Sequence, residues 1–221
     1  MAVGSSRFAA LGTGGNSKSD IEKRVARGQV TWTGPMTLVV ARTFLLVIAQ
    51  ALVAVVYALR HHPSPWQAAA PWWSIYGTFV DIGCLLLMAR YTRAEGIGIR
   101  DLIGKVRLRQ GRDVFVGIGY YLFIFPCFLG GSMLSSLLVY GSIAPHLAPG
   151  QLYGRSLPFW AFVYTLSVWW MIWSPTEETT YQAYVLPRLE ALFGRPWVPV
   201  VVVGFWWTLQ HSALPLILDW R

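Results

Sequence analysis

Five apolar runs divide the chain, near Met36–Leu59, Pro71–Ala89, Val114–Tyr140, Leu157–Trp173 and Trp197–Leu218. A helix needs about 20 apolar residues to cross a bilayer core, and each run is close to or above that length. The third is long enough to cross with tilt, or with a break at Gly130–Gly131. Between Pro175 and Phe193 the pattern changes. Tyr181, Tyr184, Val185, Leu186, Leu189, Leu192 and Phe193 give a broad apolar side to an otherwise polar stretch, which predicts an amphipathic helix partly embedded in the membrane. Gly194-Arg195-Pro196 then reads as a helix stop and restart. The first 35 residues are polar, with a Gly/Ser-rich stretch at Gly12–Ser19 and no apolar centre, so they do not form a signal peptide. The pattern predicts an all-α protein: a polytopic transmembrane helix bundle over residues 36–221, with about five spans, preceded by a flexible cytoplasmic tail over 1–35.

Composition narrows the class further. Of 221 residues, 55% are hydrophobic and only 13% charged, against roughly a quarter charged in soluble domains. That leaves too little polar surface to coat a water-soluble globule. The net charge is +8, which by itself would suit a nucleic-acid binder. Its location excludes that partner. Arg7, Lys18, Lys23, Arg24 and Arg27 lie before the first span, and Arg90, Arg93, Arg100, Lys105, Arg107, Arg109 and Arg112 follow the second. The opposite side carries only Arg60, Arg155 and Arg221. This asymmetry predicts that the N-terminus is cytoplasmic, in an integral protein of the plasma (inner) membrane, and that the basic segments meet anionic lipid. Cys84 and Cys127 both lie in apolar runs and offer neither a disulfide framework nor metal-ligand spacing.

Charges within spans are costly in lipid and therefore informative. Arg42 lies one to two turns into the first span and Asp81 about two turns into the second from the same side, a placement that predicts a structural ion pair. The stretch Ser174-Pro175-Thr176-Glu177-Glu178 reads in two ways. It can be a capping box, with Ser174 as N-cap, Pro175 at the first helical position and Glu177 at the third. It can also supply two carboxylates for acid–base work. From Glu178 to the turn is roughly 24 Å of helix, and from Trp197 to His211 roughly 22 Å, at 1.5 Å per residue. An antiparallel hairpin would therefore return His211 to the level of Glu177 and Glu178. There one glutamate could take a proton from water, and the histidine could serve the leaving group or an oxyanion. His61, His62 and His146 fall in loops on the opposite side and read as solvated residues.

Two stretches, Glu177-Glu178-Thr-Thr-Tyr-Gln182-Ala-Tyr-Val-Leu-Pro187-Arg188-Leu-Glu190 and Trp207-Thr-Leu-Gln-His211-Ser-Ala-Leu-Pro215, resemble the CPBP family. These are the CAAX-processing and bacteriocin-processing intramembrane proteases, also called the Abi family. The resemblance covers the region 174–215. It implies that Glu177 and Glu178 activate water and that His211 assists at the scissile carbonyl. Gln182 stands where the family usually has Arg, and supplies hydrogen bonds without positive charge. Trp207 replaces a Phe; both residues are expected to support substrate or structure. The family's third motif, a His with Asn or Asp one turn on, has no counterpart before Arg221. The expectation is then a truncated chain or a member with an altered site.

The functional expectation is an intramembrane endopeptidase acting on a peptide or protein substrate near the cytoplasmic face. A catalytically impaired immunity or scaffold protein is the alternative, and a small transporter resting on Arg42 and Asp81 ranks last. No cofactor is predicted: His-Glu-x-x-His is absent, and two neighbouring glutamates with one histidine do not specify a divalent-metal site.

Overall fold

The computed structural model describes residues 15–103, 110–141 and 157–218, with side chains in the last helix as far as Gln210. Every regular element among the described residues is helical. In chain order these are α1 (Lys18–Ala26), α2 (Thr33–Leu59), α3 (Pro65–Ala69), a 3-10 turn (Ala70–Trp72), α4 (Trp73–Ala94), α5 (Ile99–Ile103) and α6 (Gln110–Tyr140). After them come α7 (Phe159–Glu178), a π-helical segment (Thr179–Val185), α8 (Leu186–Phe193) and α9 (Trp197–Leu218).

Among the described residues, three stretches are long and apolar enough to cross a membrane: Thr33–Leu59, Pro65–Ala94 and Val114–Gly131. The protein is a helical membrane protein on this length and composition. The two remaining apolar runs fall on α7 and α9, and α9 contributes a shorter apolar stretch, Trp197–Gln210, among the described residues. The chain forms two compact units, one of residues 1–104 with 156–221 and one of residues 105–155. In the second, α6 runs without a break through Gly130–Gly131 and contains Pro126.

In the first unit α2 packs along α4, α7 lies on α4, and α9 contacts α2 and α8. Leu38 and Val39 of α2, Met88 of α4, Tyr181, Tyr184 and Val185 of the π segment, Leu189 of α8 and Val203 of α9 share one buried core. Aromatic side chains gather at both ends of α2. Trp32 meets Phe193 edge-on at 4.7 Å at one end. At the other, the Trp72 indole donates to the Tyr57 hydroxyl at 2.8 Å and Trp72 lies 6.0 Å from Trp160. Such belts suit the two water–lipid boundaries.

Two expectations are corrected. The first concerns the tail. From residue 15 the segment is ordered: Ser17 and Asp20 form a capping box, and Ile21 and Arg24 are buried where α1 packs on α8. The alternation of Ile21 and Arg24 with charged residues had too few apolar positions to stand out from a polar tail.

The second concerns the helix start at Pro175. No N-cap exists there: α7 passes through Pro175 and continues as one helical run to Phe193. Ser174 is not a cap, and Thr179 instead donates to the Pro175 carbonyl at 2.6 Å. Gly194 does end the run, in the left-handed conformation at φ 66° that glycine tolerates best.

The π segment has a local cause. Pro187 has no N–H for the carbonyl of Ala183, and its ring would crowd that carbonyl in a regular α-helix. A wider i→i+5 turn relieves the crowding. Burial confirms the changed pitch: Glu177, Tyr181, Val185 and Leu189 are all buried at steps of four. In a regular α-helix each such step overshoots a turn by about 40°, which would carry the last of them off the face.

Candidate functional site

Glu177 sits at the end of α7 with its side chain turned into the bundle, where it is 6% exposed. One carboxylate oxygen, Oε1, gathers two hydrogen-bond donors and a cation. Trp207 Nε1 donates at 2.6 Å and Gln210 Nε2 at 3.1 Å, both from α9. Arg42 Nη1 of α2 lies 3.1 Å away as an ion pair. Gln210 is itself held by the Tyr181 hydroxyl, which donates to its Oε1 at 2.8 Å. The other side of the guanidinium meets Asp81 of α4, with Nη2 2.9 Å from Oδ1. All three charged side chains are almost fully buried. Arg42 thus bridges two carboxylates from two other helices, and its guanidinium lies 5.8 Å from the centre of the Trp173 ring.

Glu178 does not join this cluster. Consecutive residues on an α-helix diverge by about 100°, and Glu178 is exposed. The two neighbouring carboxylates thus face different surroundings, Glu177 inward and charge-compensated, Glu178 outward. The two do share a cavity of about 250 Å³ between the π segment and α9. Tyr181, Gln182, Leu186, Val203 and Trp207 complete most of its wall. Gln182 is exposed on that wall. Arg42, from α2, brings a positive charge to Glu177. His211 belongs to α9, one residue beyond Gln210, and its side chain lies outside the described residues, as does His146. His61 and His62 lie in the turn after α2.

A second buried ionic cluster escaped the sequence reading. Arg188 of α8 grips Glu95 with two nitrogens, Nε at 2.8 Å and 3.0 Å and Nη2 at 2.7 Å, and stacks on the Tyr184 ring at 4.0 Å. Arg24 of α1 approaches the same carboxylate at 3.7 Å and donates to the Gly15 carbonyl at 2.9 Å. Burial, and then the neighbouring Arg188 charge, push Arg24 below the ordinary arginine value. Nothing in the local sequence pairs these residues, because Glu95 and Arg188 are 93 positions apart.

Among the described residues no three His, Cys, Asp or Glu side chains converge, and a cation at Glu177 would face the Arg42 guanidinium. Comparison with protein-family models, with curated proteins and with solved structures finds no match.

Proposed function

We propose that the protein is a membrane-embedded endopeptidase that hydrolyses peptide bonds at the cavity bounded by the π segment and α9, near the cytoplasmic face. The observation that carries this reading is the shared cavity of Glu177 and Glu178, one carboxylate anchored and the other accessible. Glu178 takes a proton from a water molecule as the water oxygen adds to the peptide carbonyl, and the proton then passes to the departing amine. Glu177, fixed by Arg42, Trp207 and Gln210, orders the wall against which the peptide lies. The CPBP-like motifs support a water-activating role for Glu178, and the basic residues around α1 and the end of α4 support a cytoplasmic N-terminus.

Cleavage of a peptide panel by the detergent-purified protein tests the reading. Glu178→Gln is expected to lower the rate by about 10²–10⁴-fold, the usual contribution of a positioned general base. Cleavage that Glu178→Gln leaves unchanged would remove Glu178 from the mechanism.

A non-enzymatic immunity or scaffold role is the second reading. It is favoured by the commitment of Glu177 to Arg42, Trp207 and Gln210, the surroundings of a structural carboxylate. Under that reading Glu178→Gln retains both stability and biological effect, and no peptide is cut.

A further inference from the structure

Pro187 leaves the Ala183 carbonyl without its α-helical donor, and the deficit falls in the segment that shapes the cavity. The replacement comes from the far N-terminal part of the chain. Asn16 Nδ2 donates to Ala183 O at 2.9 Å and to Leu102 O at 3.4 Å. Its Oδ1 accepts from Arg188 Nη1 at 3.2 Å, and the same nitrogen reaches Ala183 O at 3.4 Å and Tyr184 O at 3.1 Å. One amide therefore joins three parts of the chain: the start of α1, the end of α5 and the π segment. Around it, Arg24 and Arg188 share Glu95, and Lys18 pairs with Glu190 at 2.9 Å.

We infer that residues 15–27 act as a clasp that completes the π segment from outside, with Asn16 as the positioning residue that supplies the donor Pro187 lacks. Glu177 and Glu178 immediately precede this segment, Tyr181 and Gln182 lie within it, and Leu186 follows it. The clasp thus holds in place the pitch that Pro187 imposes, on which the cavity's residues share one wall. Without it, the part-buried Ala183 carbonyl keeps only the long 3.4 Å bond from Arg188 Nη1, and the segment around it is held less firmly. The inference concerns the shape of the cavity and holds whichever chemistry the cavity carries.

A double-mutant cycle between Asn16 and Pro187 on the full chain in detergent tests the coupling, read by amide hydrogen exchange. In Asn16→Ala, peptides covering 179–190 are expected to exchange about three- to tenfold faster, the factor of one lost net hydrogen bond. Peptides within α4 are expected to be unchanged. Pro187→Ala returns an N–H to position 187, so adding Asn16→Ala in that background is expected to have a much smaller effect on 179–190. Asn16→Asp keeps the acceptor for Arg188 and loses both donated bonds, so it is expected to behave like Asn16→Ala. Equal acceleration by Asn16→Ala in both backgrounds would overturn the inference, because Asn16 would then act independently of the missing N–H. Acceleration confined to α1 would overturn it as well, because the clasp would then be a passive appendage.

Discussion

At the level of single residues, the buried charges behave as a connected set. Arg42 lies between Asp81 and Glu177, so removing it leaves two carboxylates facing each other in an apolar bundle, each without its cation. Breaking a buried pair from one side costs about 3–5 kcal/mol, since the remaining charge stays desolvated. Arg42→Ala is therefore expected to lose at least that much, measured by unfolding in detergent. Asp81→Asn is expected to lose less, because Arg42 keeps Glu177 as its counter-ion. If Asp81→Asn proved the more damaging, Asp81 rather than Glu177 would be the principal partner of Arg42. Trp207 is also informative at this scale. Its ring is 45% exposed while its Nε1 reaches Glu177, so it forms part of the cavity wall and part of the anchor. Trp207→Phe keeps most of the wall and deletes one donor, with an expected loss of about 1.5–3 kcal/mol for a hydrogen bond to a charged group.

Among the elements, the approach of α2 to the π segment depends on a small residue. A Cβ at Gly34 would collide with the Tyr184 hydroxyl and touch the Tyr91 ring at 3.4 Å. Tyr184 is 1% exposed and has little room to retreat. Gly34→Ala is expected to destabilise the protein by about 1–3 kcal/mol, the cost of overpacking a filled core. Adding Tyr184→Phe is expected to recover part of the loss by removing the colliding oxygen, and a thermal denaturation series over the four variants reads this directly. Gly34 is a case where the glycine provides space rather than turn geometry, since it lies inside a helix.

For the whole molecule, the length of α2 sets the scale. Its 27 residues span about 40 Å, more than the hydrocarbon thickness, which is enough to put its two ends on opposite sides of a bilayer. Ser19 before it and His62 after it are both exposed. Single cysteines at these positions, in a background without Cys84 and Cys127, are expected to react with a membrane-impermeant maleimide from opposite sides of sealed vesicles. The basic residues predict that position 19 is the cytoplasmic one. Labelling of both positions from the same side would show that α2 does not cross.

Much of this architecture was legible in the apolar runs, because a bilayer demands long stretches of one kind and those are visible residue by residue. The helical class, the spans on α2 and α4 and the glycine stop at Gly194 are local properties and followed from local pattern. So did the level of the charge at Arg42 and Asp81, since depth in a span is a matter of counting. Other features depended on residues distant in sequence. That Arg42 compensates Glu177, that Glu177 and Glu178 part company, and that Glu95 collects two arginines are decided by which helix faces meet. The reading of Ser174 and Pro175 as a helix start failed for the same reason. Their side chains suit a cap, but packing of α7 against α4 continues the helix through them. Pro187 announced a disturbed carbonyl in the sequence itself, whereas its remedy, Asn16, was 171 positions away. Covalent chemistry determined the need, and only the tertiary fold could determine which group answers it.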